Sequence, residues 1–298
     1  MERRYMEDET FNGSFPYKPR FMSLDGYRMH YVDEGTGEPI VCLHGMPTWG
    51  YLYRKFIKHL SKTHRVVVPD HVGFGKSDVP AGMEYVMEQH VDNFTSLMME
   101  LDLHDITLVV QDWGGPIGLG FAVEYPERIS RLVIMNTSIG VARGGTKPWY
   151  QDLEDRGVYE AMFSNMKDTV PFLFKQSIHH QEVINDTMLQ AYTAPFPNER
   201  YCIGALAFPR DIPIGFSHPS APAMQHVREN MHLLHSKEKL LVWGMKDPVF
   251  PPSIIKRWTE KLLPGIQVKR INDASHFLQE DAPGDIIKMI STICSPSG

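Results

Sequence analysis

Short runs of apolar, mostly β-branched residues recur along the chain, and stretches with a helical spacing of apolar positions separate them. Arg65-Val-Val-Val-Pro-Asp70 and Ile106-Thr-Leu-Val-Val110 are nearly continuous in apolar character, the pattern of strands buried on both faces. Arg28 to Asp33 and Pro39 to His44 also read as strands, each closed by a glycine-containing turn. Between these runs, Leu52, Phe56, Ile57 and Leu60 fall on one face of a helix spanning Tyr51 to Leu60. Gln89 to Leu101 has the same period, Gly114 to Tyr125 reads as a helix of small residues, and Arg131 to Met135 is again a strand. Strand and helix alternate, so the pattern predicts an α/β fold with a parallel sheet covered by helices on both faces. The residues before Arg28 read as a polar leader.

The rhythm breaks from Ser138 to His235, where the chain is rich in methionine, aromatics and proline and shows no buried β-branched run. Alternation resumes with the strand Lys239 to Trp243, a helix from Ile254 to Leu263, the strand Ile266 to Ile271 and a helix from Gly284 to Ile293. The expected organisation is one α/β core, residues 1–137 and 236–298, interrupted by a helical cap at 138–235. A chain of 298 residues suits a large domain with an insertion and can bury its core without disulfides or metals.

Composition narrows the function classes. With 42% hydrophobic and 22% charged residues the chain reads as an ordinary globular protein. Its net charge of −6 offers no basic footprint for nucleic acid or an anionic membrane surface. No apolar run approaches the ~20 residues of a membrane span, and no apolar stretch follows the charged N-terminus as in a signal peptide. Cys42, Cys202 and Cys294 are scattered and odd in number, as in a reducing compartment. A cytoplasmic protein without nucleic-acid or membrane partners is expected. Oligomeric state is not legible.

Two motifs fail on inspection. Gly73-Phe-Gly-Lys-Ser77 contains Gly-Lys-Ser, but a phosphate-binding loop needs glycine where Asp70 stands. Gly114, Gly115, Gly118 and Gly120 do not form a dinucleotide fingerprint, and close helix–sheet packing is the expected use. The histidines at 179, 180, 226, 232 and 235 have no accompanying carboxylate or cysteine pattern. Neither a metal nor a cofactor is expected.

The informative stretch is Val109-Val-Gln-Asp-Trp-Gly-Gly-Pro-Ile-Gly118, a buried strand running directly into a glycine-rich helix start with Asp112 at the corner. That is the layout of a nucleophile elbow, here presenting a carboxylate. Asp247 follows the strand that resumes after the cap, and His276 follows the last strand. Nucleophile, acid and histidine thus occur in the chain order of an α/β-hydrolase triad, each beyond the C-terminal end of a different strand.

Together with His44-Gly-x-Pro-Thr-Trp49, Gly73-Phe-Gly-Lys-Ser-Asp78, Gln111-Asp-Trp-Gly-Gly115, Gly244-Met-Lys-Asp247 and Ser275-His-Phe-Leu-Gln-Glu-Asp281, this pattern resembles the haloalkane dehalogenases. The likeness covers about residues 20–137 and 236–294 and extends more loosely into the cap through Tyr192-Thr-Ala-Pro-Phe-Pro197. Within that family the chain is similar to the subfamily that includes β-lactone decarboxylases. The resemblance implies an α/β-hydrolase core with a mostly parallel eight-stranded sheet and an inserted helical cap.

A carboxylate nucleophile can displace a leaving group from an sp³ carbon and form an alkyl ester, here on Asp112. His276 then serves as general base toward water, with Asp247 holding its tautomer. Backbone N–H groups of Met46 and Trp113 form the expected oxyanion hole, and the Trp113 indole N–H is the expected halide donor. The resemblance implies a second donor, often an asparagine at the position of Met46 or a tryptophan in the cap. The remaining candidates are His180, Asn165, Gln176 and Trp149.

The expected substrate is small to medium and apolar, because Met162, Phe163, Met166, Phe172, Phe174, Phe196 and Phe208 enrich the cap in methionine and aromatics. A β-lactone decarboxylase or an epoxide hydrolase would use the same triad, the latter with cap tyrosines from among Tyr150, Tyr159, Tyr192 and Tyr201. A ligand-binding receptor on the same fold is the non-enzymatic alternative.

Overall fold

The apolar runs become the middle of a single sheet. The computed structural model describes residues 6–295 apart from 143, 144, 146 and 148. Its strands are β1 (Arg20–Leu24), β2 (Tyr27–Glu34), β3 (Pro39–Leu43), β4 (Arg65–Pro69), β5 (Ile106–Gln111), β6 (Ile129–Met135), β7 (Glu238–Gly244) and β8 (Gln267–Ile271). They lie in the order β1-β2-β4-β3-β5-β6-β7-β8. The pairs β1–β2 and β2–β4 are antiparallel and all others are parallel. Every residue of β3 and β5 is buried, as central strands covered on both faces require.

Helices α1 (Arg54–Leu60), α2 (Met87–Glu100) and α3 (Gly114–Glu124) connect the first half of the sheet. α3 lies against β5, β3 and β6. A Cβ at Gly115 or Gly118 would run into Thr137 or into Leu43 and Val110, so these glycines serve close helix–sheet packing. Gly120 differs, because it faces Val91 of α2.

Between β6 and β7 come α4 (Trp149–Asp155), α5 (Tyr159–Phe163), α6 (Met166–Ser177), α7 (Asp186–Thr193), α8 (Ile203–Arg210) and α9 (Ala221–Asn230). The described part of this segment contains no strand, only a bridge between Ala142 and Ile214. α9 packs on α3 and α2. After β7 come the short α10 (Ile255–Arg257), continued by a π-helical turn, then α11 (Leu278–Asp281) and α12 (Pro283–Cys294). α12 buries Ile286, Ile290 and Ile293 on one face and packs on α1, β6 and β7.

The N-terminal expectation is corrected. β1 pairs with β2 through the register Arg20↔Tyr31 to Leu24↔Tyr27. The residues before it are not a polar leader, because Met6, Phe11 and Phe15 are buried in the main core. Phe15 meets Trp49 edge-on at 4.9 Å. Lys76 of the Gly-Lys-Ser motif is buried and donates to the carbonyls of Glu7 and Glu9 at 2.9 and 3.0 Å. Its role is structural: it ties this segment to the core. No helix among the described residues is long and apolar enough to cross a membrane.

Candidate active site

Asp112 stands between the end of β5 and the start of α3 with φ at +50°, a left-handed conformation uncommon for a residue with a side chain. Hydrogen bonds hold it there. Its N–H donates to the Asn136 carbonyl at 3.1 Å, and its carbonyl accepts from Gly115 N–H at 2.9 Å and Thr137 Oγ1 at 2.6 Å. The carboxylate packs against Gly45, where any Cβ would overlap it. Met46 N–H donates to Asp112 Oδ1 at 2.8 Å, and the Trp113 N–H also bonds the carboxylate.

Two neutral histidines brace the loop that carries Met46. His44 Nδ1–H donates to the Gly45 carbonyl at 2.9 Å, its Nε2 accepts from His71 N–H at 3.0 Å, and His71 Nε2–H returns to the His44 carbonyl at 2.9 Å. Burial pushes both imidazoles below their ordinary range, well below for His71, so both stay uncharged.

His276 approaches from the loop after β8. Its Nδ1–H donates to Asp247 Oδ2 at 3.0 Å, and its Nε2 lies 3.8 Å from Asp112 Oδ2. Gln111 Nε2 donates to the His276 carbonyl at 3.2 Å and sits 3.2 Å from the ring Nε2. Asp247 has no idle oxygen. Oδ1 accepts from the N–H groups of Val249 and Phe250, and Oδ2 accepts from Asn136 Nδ2 at 2.7 Å besides His276. Asn136 also clamps Gly244, accepting its N–H at 2.8 Å and donating to its carbonyl at 3.1 Å.

The three ionisable groups shift one another. Burial raises the Asp112 carboxyl above its ordinary range, although His276 and the N–H groups of Trp113 and Met46 pull the other way. Burial opposes the His276 imidazolium, but Asp247 and then Asp112 outweigh it, so its pKa is raised. Burial also opposes the Asp247 carboxylate, and the His276 charge and hydrogen bond outweigh that, leaving its pKa lowered. A histidine that gains a proton readily beside a carboxylate that keeps its charge is an arrangement suited to general-base work.

The Asp112 carboxylate and His276 open onto a cavity of about 620 Å³. Trp113, Met46 and Pro47 line one part of it, and Leu173, Pro209, Ile212 and Met224 line it from the segment between β6 and β7. The aromatics marked in the sequence are not its walls. Phe163, Phe174 and Phe208 are fully buried packing residues, and Phe208 stacks on Trp113 at 4.8 Å. The Trp113 indole N–H has no acceptor among the described residues.

None of the second-donor candidates with a described side chain is brought to the cavity. His180 faces Glu182 at 3.3 Å, Asn165 donates to Asp168 at 2.7 Å, and Gln176 is exposed. The side chain of Trp149 lies outside the described residues. No cap tyrosine lines the cavity either. Tyr192 donates to Glu280 at 2.7 Å, and Tyr159 donates to the Leu206 carbonyl at 2.7 Å.

The structure adds residues that sequence reasoning left aside. Gln111 and Asn136 hold His276 and Asp247, and Ser138, Ser177 and Arg257 bring polar groups to the cavity. For Gln111 and Asn136 there was a signal: both stand at the C-terminal ends of buried strands, β5 and β6, beside the candidate triad.

Comparison with known proteins follows the geometry. The family described as alpha/beta hydrolase fold matches residues 38–283. The chain is 34% identical over 283 residues to the cis-3-alkyl-4-alkyloxetan-2-one decarboxylase of Shewanella oneidensis, covering 92% of this chain and 87% of that protein. It is 38% identical over 273 residues to the haloalkane dehalogenase of Mycolicibacterium paratuberculosis, covering 88% and 86%. Among solved structures, the haloalkane dehalogenase DpaA from Paraglaciecola agarilytica NO2 matches with a TM-score of 0.82 at 29% identity, covering 100% of this chain and 99% of that one.

Proposed function

The chain belongs to the alpha/beta hydrolase family as a haloalkane dehalogenase-like hydrolase, and from that premise we propose that Asp112 is its nucleophile, acting through an alkyl ester. One observation carries the reading. Asp112 Oδ1 is engaged by the Met46 N–H at 2.8 Å while Oδ2 faces His276 Nε2 at 3.8 Å, so the two oxygens have different environments.

Oδ2 attacks the sp³ carbon and the carbon–halogen bond breaks, its electron pair leaving with the halide toward the Trp113 indole N–H. Oδ1 becomes the ester carbonyl oxygen and stays on the N–H groups of Met46 and Trp113, where the charge of the next step develops. Water then attacks Asp112 Cγ, giving its proton to His276 Nε2, and Asp247 stabilises the imidazolium. Collapse breaks the bond from Cγ to the alkyl oxygen. The departing alkoxide takes that proton and leaves as the alcohol. The acid left on Asp112 passes its own proton through His276 to water, so that halide, alcohol and one proton depart and the carboxylate is restored.

Apolar walls suit a small to medium organic substrate, with water as the second reactant. The segment 138–235 is read as the cap that closes the cavity over the core, and three free, buried cysteines fit a cytoplasmic setting.

A second reading, ring opening of a β-lactone, is favoured by one observation: Met46 lines the cavity with a side chain that has no N–H to offer a departing halide. A strained ring needs no free-halide site. Epoxide hydrolysis loses support, because it needs tyrosine hydroxyls at the reacting oxygen and the cap tyrosines point elsewhere. Bromide release from 1-bromohexane and opening of a dialkyl β-lactone, each measured with the wild type and Asp112→Ala, test the reading. The expected result is turnover abolished in a variant that still melts cooperatively. Retention of more than a few per cent of wild-type activity contradicts it.

A further inference from the structure

The cavity has apolar walls with one feature that does not fit a wholly apolar guest. Arg257, at the end of α10, lines it and is half-buried. A guanidinium carries five N–H donors and no acceptor. No side chain or carbonyl among the described residues accepts a hydrogen bond from Arg257, and no carboxylate pairs with it, although most other described arginines have such a partner.

Its surroundings favour an anion. Gly140 also lines the cavity, and a Cβ placed there would run into Arg257 Nη2. Arg228 Cδ lies 3.4 Å from the same point, so a second arginine, also without an acidic partner among the described residues, stands beside the first. Burial and the Arg228 charge both weigh against the Arg257 cation and lower its pKa. A half-buried cation beside a like charge is costly, and a guest carboxylate would relieve both terms through a bidentate hydrogen bond.

The position suits a substrate that reaches both groups. Trp258, next to Arg257, donates its indole N–H to the Thr137 carbonyl at 3.0 Å, and Thr137 Oγ1 donates to the Asp112 carbonyl at 2.6 Å. Gly140 follows Thr137 by three residues, a span of at most about 10 Å. Asp112 and Arg257 line the same cavity of about 620 Å³, so a short alkyl chain inside it can reach both.

We propose that Arg257 is an anion subsite of this cavity and selects substrates that carry a carboxylate a few carbons from the reacting centre. The substrate class is then a halogenated alkanoate, and this rests on the reading of Asp112 as the nucleophile toward carbon–halogen bonds.

Binding and turnover test the two separately. Calorimetric titration of the wild type, Arg257→Gln and Arg257→Lys with hexanoate and with 1-hexanol, in halide-free buffer, reads the subsite without any reaction. The wild type is expected to prefer hexanoate, Arg257→Gln to lose about 10- to 100-fold in hexanoate affinity, and Arg257→Lys to keep part of it, while 1-hexanol binding stays unchanged. A wild type that binds both alike, or a preference that survives in Arg257→Gln, overturns the subsite.

Bromide release from 6-bromohexanoate and 1-bromohexane supplies the second arm. The kcat/KM ratio of acid to neutral substrate should fall about 10- to 100-fold in Arg257→Gln. Selective hexanoate binding without turnover of either bromide upholds the subsite and contradicts the dehalogenation reading. Turnover of both bromides with a ratio indifferent to Arg257 does the reverse.

Discussion

In the proposed mechanism one carboxylate has to attack a carbon atom and afterwards be attacked itself, and the site offers a separate oxygen for each task. Asp112 Oδ1 is held by the Met46 backbone N–H, which no side-chain change removes, while Oδ2 remains toward His276. The leaving group is served less well, with the Trp113 indole as the one candidate donor for it among the described side chains. Met46→Asn should therefore raise bromide release about 10-fold, the lower end of the range for a hydrogen bond to an anion, and leave β-lactone opening unchanged; parallel assays of both reactions check this. Asp247→Asn should lower the rate by about 10³- to 10⁴-fold, because it favours the wrong histidine tautomer. Asn136→Ala, which removes one of four hydrogen bonds to Asp247, should cost less; a larger loss would move the partner role to position 136. The pH profile has a definite sign. Ester hydrolysis needs neutral His276, whose pKa is raised despite burial because Asp247 and Asp112 favour its charged form. The rate should fall as His276 gains its proton at low pH, and in the free enzyme, where Asp112 still carries its charge, the ring followed by NMR should titrate above the ordinary histidine value of about 6.5; a titration below it contradicts the pairing. Asp112, His276 and Asp247 were legible because each follows a recognisable strand. Asn136 and Gln111 were not legible as partners, since their roles depend on which strands lie side by side. Arg257 was invisible because an unpaired charge is a property of surroundings, not of sequence.

Helices are joined around a buried acid as well as around the sheet. Glu280 on α11 is 1% exposed and receives Arg54 and Lys55 from α1 and the Tyr192 hydroxyl from α7. Burial opposes its charge, yet Arg54, Lys55 and Tyr192 leave its pKa lowered. Such a group adds stability above its unfolded pKa of about 4.3, and that stability is lost as pH falls through the lower folded value. Arg54→Ala removes the two-pronged partner of the buried carboxylate but leaves Lys55 and Tyr192, so it should cost less than the ~3–5 kcal/mol of a fully unpaired charge, read as a lower denaturation midpoint at neutral pH. If the midpoint does not move, the network does not hold these helices together. Legibility followed burial here too. β3, β4 and β5 declared themselves as continuous apolar runs. β1 did not, because Arg20–Leu24 is an edge strand with Arg20 and Ser23 exposed and the other three residues only part-buried, specified by its pairing with β2.

The molecule as a whole encloses the Asp112 carboxylate between the C-terminal sheet edge and the helices that follow β6. The Trp49 indole donates to the Ala191 carbonyl of α7 at 2.9 Å, and Asn12 donates to Thr187 at 3.2 Å, so core and N-terminal segment both fasten to that insertion. The N-terminal segment was missed because its apolar residues are sparse and aperiodic: Met6, Phe11 and Phe15 are buried by long-range contacts that no local pattern encodes. Enclosure lets a covalent intermediate persist once its base is removed, and this gives the most direct test of the nucleophile. His276→Gln, exposed to 1-bromohexane, should accumulate protein heavier by the mass of the substrate minus hydrogen bromide. Proteolysis and fragmentation should place the hexyl group on Asp112, with Asp112→Ala/His276→Gln remaining unmodified. An unmodified His276→Gln protein, or a hexyl group on any other residue, would contradict the account.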